Sequence, residues 1–321
     1  MNKIVECVPN FSEGRDQQKI AYITSAFLNN EKVKLVSVES DSDYNRTVVT
    51  LIGDGDAIIE SLMEFTKRCI ETIDMNVQSG QHPRMGAVDV IPFIPLEGVK
   101  MKDCIDYANV LGEKLASTFS VPVFLYAEAA RKEDRESLPS IRKGEFEGMK
   151  DKIKESNWVP DFGAPEIHPT FGAVAVGARE FLVAYNIDIK TMDESIPNEI
   201  AKAIRKSSGG FQFVQSGPAT LEARGHTQVT MNILNYKKNP MYRIFETVKS
   251  EAKRFQINIT SAEIIGLIPK NALYKSIEYY LQCDGLPSPE KNISIQELVS
   301  YSRKYLLLRD FDENKVIETY L

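Results

Sequence analysis

The sequence predicts an α+β protein made of two βαββαβ units, each an antiparallel sheet with its helices on the outer face. Three observations carry this reading: the order of apolar patterns in the first half, the return of that order in unrelated residues in the second, and a length of 321 residues, more than one compact core usually holds. The first unit opens with the strand pattern "KIVECV" (3–8) and the helical pattern "DQQKIAYITSAFLN" (16–29). Two β-rich runs, "VKLVSVES" (33–40) and "RTVVTLIG" (46–53), flank the polar turn "DSDYN", which signals a hairpin. A second helical pattern, "DAIIESLMEFTKRCIETI" (56–73), and the apolar run "AVDVIPFIP" (87–95) complete it.

The second half repeats the order with "EFLVAYNIDI" (180–189), "ESIPNEIAKAIRKS" (194–207), "GFQFVQSG" (210–217), "HTQVTMNIL" (226–234), "PMYRIFETVKSEAKRF" (240–255) and "AEIIGLIP" (262–269). Two split βαβ patterns of this kind predict a duplicated ferredoxin-like architecture, each copy a four-stranded antiparallel sheet with two helices on one face. Between the copies lie a helix candidate (101–119), an apolar strand "VPVFLYAEA" (121–129) and a charged stretch (130–157). Acids and bases alternate along that stretch, as expected of a surface helical hairpin rather than a nucleic-acid patch. Two more helical patterns, 271–285 and 294–308, finish the chain, and the domain boundary is expected near 178, giving domains 1–178 and 179–321.

With 39 basic and 45 acidic residues the formal net charge is −6, which argues against nucleic acid as a partner. Hydrophobic content of 43% and charged content of 26% describe an ordinary soluble globular protein. Cys7, Cys69, Cys104 and Cys283 form no CxxC pair, so neither a zinc site nor a disulfide framework is signalled and reduced thiols are expected. The N-terminus lacks a signal-peptide pattern and no stretch approaches the ~18 apolar residues of a membrane span. A cytoplasmic protein without a membrane partner is expected.

Phosphate-binding loops of the GxGxxG or GxxxxGK[ST] type and a GxSxG nucleophile elbow are absent from the sequence. The three histidines, His82, His168 and His226, are far apart and lack HxxxH spacing, so no metal site is predicted. Histidine is then the natural acid/base, since its ordinary pKa near ~6.5 lets it take and return a proton at neutral pH. His82, in "GQHPRMGAVDV", sits in a loop entering an apolar strand, where a fixed backbone can aim a side chain into a cleft. Pro83 restricts it, and Gly80 and Gly86 allow close approach. A solvent-exposed loop histidine is the plainer alternative, and both stay open here. His168, in "EIHPTFG", repeats the His-Pro pattern and suits binding, whereas His226 is expected in a hairpin. Arg84 is a candidate for pairing a substrate carboxylate, against the alternative of a surface arginine. Glu39, Asp41 and Asp43, around the first hairpin turn, offer carboxylates of which one could orient His82.

Taken together, "VECVPNFSEG" (5–14), "NRTVVTLIG" (45–53), "HPRMGAVDVIPFIP" (82–95), "VPVFLYAEAAR" (121–131) and "PDFGAPEIHPTFGAVAVGAREFLVAYNI" (160–187) resemble the glutamate formimidoyltransferase family, in order across both halves to at least "IIGLIPKNAL". The resemblance implies a folate-dependent enzyme of histidine breakdown that moves the formimidoyl group of N-formimidoyl-L-glutamate to N5 of tetrahydrofolate. It places the family's catalytic histidine on His82, as general acid/base. Its folate-contacting segment falls on Gly163, Ala164, Pro165, Glu166, Ile167, His168, Pro169, Thr170, Phe171 and Gly172. Tetrahydrofolate is the implied co-substrate, no metal is implied, and a homodimer is expected. No second catalytic domain is expected to follow. Relatives commonly carry an aspartate where this chain has Glu39, the implied orienting carboxylate. For substrates this rich in carboxylates, Arg46, Arg84 and Arg224 are the expected cationic partners.

Formyl transfer between N-formyl-L-glutamate and tetrahydrofolate is the runner-up within the same chemistry, because O and NH differ little at the transferred carbon. A ferredoxin-like ligand- or RNA-binding module is the alternative from another class. It requires aromatics on the central hairpin strands, and "RTVVTLIG" and "HTQVTMNIL" have none.

Overall fold

A computed structural model describes residues 3–290 and 292–321. The chain divides into two compact units, the first ending at Glu180 and the second running Phe181–Leu321, a division two residues beyond the expected 178.

In the first unit the strands are β1 (Ile4–Cys7), β2 (Asn10–Phe11), β3 (Val33–Asp41), β4 (Arg46–Asp54), β5 (Val88–Glu97), β6 (Val123–Ala127) and β7 (Val174–Ala178). The helices are α1 (Gln17–Thr24), α2 (Gly55–Thr72), α3 (Met101–Phe119), α4 (Leu138–Arg142) and α5 (Glu145–Lys152). β1 and β2 are successive pieces of one strand path, lying between β4 and β5 and antiparallel to both. Pro9, which has no N–H to give a ladder, lies at the interruption. With β3 on the far side of β4, this is the ferredoxin-like order expected from the sequence.

The sheet then continues beyond that pattern. β7 pairs parallel with β5, and β6 parallel with β7, so the first sheet is mixed and seven-stranded rather than purely antiparallel. A parallel return needs a long crossover, which the nineteen residues of α3 supply. Both added strands are buried along nearly their whole length, as parallel strands covered on two faces must be.

One face of this sheet is covered by α1 to α3. Ile58, Leu62, Phe65 and Cys69 of α2, and Cys104, Ala108, Leu111 and Leu115 of α3, recur at helical spacing and pack on Val5, Cys7 and Phe11. Asp54 starts α2 by accepting the N–H groups of Asp56 and Ala57, both at 3.1 Å. The opposite face is covered near β6 and β7 by the short helices of the charged stretch: Ile141, Met149 and Ile153 pack on Val90, Phe124, Tyr126 and Ala175. The stretch expected as a surface hairpin is therefore a second layer on the sheet, because three apolar residues among its charges are fully buried.

The second unit is the plain form of the pattern. Strands β8 (Val183–Ile189), β9 (Val214–Leu221), β10 (His226–Ile233) and β11 (Ile259–Ile265) form an antiparallel sheet in the order β11-β8-β10-β9. Its helices are α6 (Ser195–Ile204), α7 (Met241–Arg254), α8 (Lys270–Cys283) and α9 (Ile295–Tyr305). β9 starts four residues later than the apolar pattern at 210–217 suggests, since Gly209 takes a left-handed backbone (φ +90°), Phe211 bridges to Arg205 and residues 212–213 turn before the strand. All four cysteines are free thiols. Among the described residues no helix is long and apolar enough to cross a membrane.

Candidate active site

The loop that carries His82 is built by its neighbours' backbones. The N–H of Gln81 donates to Asp43 O (3.2 Å) and that of His82 to Tyr44 O (3.3 Å), while Asn45 Nδ2 donates to Ser79 O (2.8 Å). The tip of the β3–β4 hairpin thus fixes the loop through main-chain carbonyls and the Asn45 side-chain amide, not through its carboxylates. On the other side Arg84, only 6% exposed, donates from Nε to Gln78 (2.9 Å), from Nη1 to Glu145 (2.8 Å) and from Nη2 to Glu147 (2.9 Å). Burial opposes the Arg84 charge, but the hydrogen bond and charge of Glu147, with Glu145, more than offset it and raise its pKa. Arg84 therefore anchors the loop to α5, and its guanidinium is occupied within the chain instead of being presented to a substrate carboxylate.

His82 is 4% exposed, which removes the solvent-exposed alternative. Its Nε2 lies 3.3 Å from Oδ2 of Asp89, a fully buried residue on β5. Asp89 also receives the Met85 N–H on Oδ1 (3.2 Å) and a hydrogen bond from Arg142 Nη2, at the end of α4. Burial pushes the Asp89 carboxyl up, yet the hydrogen bond from His82 and the charge of Arg142 outweigh it, so its pKa falls below the ordinary aspartate value. Glu39 is exposed on β3, opposite Val48, and the carboxylate within hydrogen-bond reach of the imidazole is Asp89. Asp41 and Asp43 do not take the role either: Asp41 Oδ1 accepts the N–H groups of Asp43 and Tyr44 at 2.9 Å each, and Asp43 is exposed.

With Asp89 ionised, the neutral imidazole donates from Nε2–H, and Nδ1 keeps the lone pair. The arrangement is an imidazole whose tautomer is set by a buried carboxylate that is itself neutralised by an arginine. Asp89 and Arg142 were not singled out from the sequence. A single charge inside the apolar run "AVDVIPFIP" is the signal that could have found the first, because a buried carboxylate needs partners.

The segment 163–172 lies alongside this loop. Gly86 and Gly172 form an antiparallel bridge, with the Ala87 N–H donating to Phe171 O (2.7 Å) and the Ala173 N–H to Met85 O (3.1 Å). A Cβ on Gly86 would stand 2.1 Å from Ala173 O, so only glycine allows the approach. Met75 N–H to Thr170 O (2.8 Å) and Asn76 Nδ2 to Pro169 O (2.9 Å) extend the seam. Gly163 to Glu166 and Pro169 are exposed, Ile167, His168 and Thr170 half-buried, and Phe171 and Gly172 buried. His168 Nδ1 accepts the Phe171 N–H (3.0 Å), so the ring caps its own turn, and burial pushes its pKa down.

The remaining candidates lie elsewhere. Arg46, half-buried at the start of β4, stacks on the Tyr44 ring at 5.2 Å. Arg224 is exposed in the β9–β10 turn of the second unit. His226 opens β10, with Nε2 3.5 Å from Oδ1 of Asp188, a buried carboxylate also held by Gln228 (2.6 Å) and Arg309 (3.1 Å). Among the described residues no three His, Cys, Asp or Glu side chains converge as metal ligands would.

Comparison with known proteins places the chain in a family. The profile of the formiminotransferase domain, N-terminal subdomain, matches residues 4–179, and that of the formiminotransferase domain matches 184–320. The chain is 43% identical over 284 residues to a glutamate formimidoyltransferase of Streptococcus pyogenes serotype M1, covering 88% of this chain and 95% of that one. A glutamate formimidoyltransferase of Thermoplasma acidophilum is also 43% identical, with coverage of 88% and 93%. The formimidoyltransferase-cyclodeaminase of Gallus gallus is 37% identical over 94% of this chain, which spans 56% of that longer protein. The two profile matches run the length of both structural units, and the chain belongs to the formiminotransferase family.

Proposed function

We propose that this protein transfers the formimidoyl group of N-formimidoyl-L-glutamate to N5 of tetrahydrofolate, releasing L-glutamate, as a step of histidine degradation. The observation that carries the reading is the His82–Asp89 pair, set beside the seam that joins 85–87 to 171–173. Tetrahydrofolate N5 attacks the formimidoyl carbon, and the N5 proton passes to Nδ1 of His82. The carbon–nitrogen bond to glutamate then breaks as the same nitrogen returns that proton to the leaving amine. Asp89 supports the imidazolium between the two transfers without taking the proton itself. Holding donor and acceptor together supplies much of the remaining acceleration.

The segment 163–172 is the folate-binding part of this reading, and a cytoplasmic homodimer is its expected working form. Sedimentation of the purified protein tests the dimer. The reaction is tested by following folate absorbance with N-formimidoyl-L-glutamate and, separately, N-formyl-L-glutamate as donor. Turnover with the first and a loss of roughly 10²- to 10⁴-fold in H82A are expected for removal of a general acid/base. Preference for the formyl donor would reassign the substrate, and parent-level turnover in H82A would reassign the base.

A further inference from the structure

Helix α5 holds the His82–Asp89 pair from two sides. Its first turn grips the His82 loop: Glu145 and Glu147 bind Arg84, and the Phe146 N–H donates to Arg84 O (2.9 Å). Its last residue, Lys152, reaches the other side. Lys152 Nζ donates to Ser140 O (2.7 Å), Ile141 O (2.8 Å) and Lys143 O (3.1 Å), carbonyls that flank Arg142 before and after. Between these two ends the helix is fixed by the buried side chains of Phe146 and Met149, with Ile153 buried just beyond.

α4 needs this hold. It has only five residues, too few to sustain a helix unaided, and the chain leaves it at Lys143 (ψ 121°) before Gly144 turns left-handed (φ +93°). The Lys152 ammonium supplies donors there that a longer helix would take from its own next turn. The Trp158 ring covers the ammonium, its centroid 3.8 Å from Nζ. Burial pulls the Lys152 pKa down to about 8, with the Glu155 carboxylate opposing the fall and the Lys143 charge adding to it. At neutral pH the group is therefore still largely an ammonium with three N–H donors for three carbonyls.

Arg142 is the residue that this cage controls. Its Nη2 donates to Asp89 Oδ2, the same oxygen that His82 Nε2 faces at 3.3 Å. Its Nε is buried without a hydrogen-bond partner among the described residues, so the aim of the guanidinium depends on where its backbone is held. A buried Asp89 that loses its arginine either takes a proton or keeps His82 as imidazolium. Either way the neutral imidazole with its lone pair fixed on Nδ1 is lost.

We propose that Lys152 is a positioning residue for the transfer reaction: by caging the backbone on both flanks of Arg142 it sets the guanidinium on Asp89, and through Asp89 the tautomer of His82. The proposal rests on the transfer reading above.

The test is K152M in the full chain. Its readouts are turnover of N-formimidoyl-L-glutamate and the nitrogen NMR resonances of the His82 ring, assigned by their loss in H82A. A fall of roughly 10- to 10²-fold in kcat is expected, as for a misplaced catalytic group, with both KM values within about twofold. At a pH where the parent ring is a neutral Nε2–H tautomer, K152M should show a mixture of tautomers or both nitrogens protonated. In R142M, adding K152M should change kcat by less than about twofold, since Lys152 acts through Arg142. Parent-like kcat in a folded K152M, a rate loss with the ring resonances unmoved, or additive losses in the double variant overturns the proposal. If K152M does not fold, K152Q, which keeps two N–H donors on a shorter, uncharged side chain, is read in the same way: smaller changes in kcat and ring resonances together support the proposal, and parent values for both overturn it. Absence of turnover of any donor by the parent would sink the transfer reading, while a changed ring tautomer in K152M would still show that Lys152 sets His82.

Discussion

His82 Nε2 and Asp89 Oδ2 stand 3.3 Å apart, in a pair seven residues apart in sequence and at most 4% exposed. Asp89→Asn keeps a hydrogen-bond acceptor but removes the charge that supports the imidazolium. A fall in kcat of roughly 10²- to 10⁴-fold is expected, with both KM values within about threefold. Arg142 would lose its anion, at a stability cost of about 3 kcal/mol, somewhat reduced by the water that reaches its side chain. Because the Asp89 pKa lies below the ordinary aspartate range, its contribution to stability is present above that range and is lost as pH falls through the folded value. Steady-state kinetics and acid titration of both proteins check this; an unchanged kcat would remove Asp89 from the mechanism.

Arg84→Met distinguishes an anchor from a substrate contact. Losing its bonds to Gln78, Glu145 and Glu147 is expected to cost about 2–4 kcal/mol in urea unfolding and to lower kcat through a looser loop, with donor KM shifted less than threefold. A tenfold rise in donor KM at unchanged stability would restore the substrate role.

Gly86→Ala places a methyl where Ala173 O stands 2.1 Å away. The backbone pairing of 85–87 with 171–173 must open to admit it. A loss of about 2–3 kcal/mol and a raised KM for tetrahydrofolate are expected together, read by denaturant unfolding and kinetics. Parent-like stability would show that the two segments part easily.

Glu6 gives stability a slope of opposite sign to that of Asp89. Its folded pKa is about 7 against an ordinary 4.5, so the folded state holds its proton longer. The stabilisation is complete below 4.5 and is lost as pH rises through about 7, by up to about 3 kcal/mol. Glu6→Gln should therefore melt above the parent at pH 8 and beside it at pH 4.5. Identical melting profiles at both values would contradict this.

Local pattern made much of this legible. Helical spacing located α2 and α3, and alternation with a polar turn located β3 and β4, because these depend on neighbours a few residues away. The loop position of His82 was legible for the same reason. Its partners were not: Asp89 reads as an interruption of an apolar strand, and Arg142 lies in a stretch whose alternating charges conceal the buried Ile141, Met149 and Ile153. Glu39 lies on the hairpin that holds His82, and that hairpin meets the loop through the Asp43 and Tyr44 carbonyls. The parallel joining of β7 to β5 depends on a contact between residues some eighty positions apart, which no local periodicity encodes.

The Gly86–Gly172 bridge ties the His82 loop to the segment 163–172 through backbone groups. On the proposed reading, catalysis and acceptor recognition are then inherited together. An insertion into 163–172 that displaces Phe171 would also misplace His82, so the segment can vary in side chains but hardly in length. A redesign aimed at another acceptor would have to exchange residues 75–87 along with it.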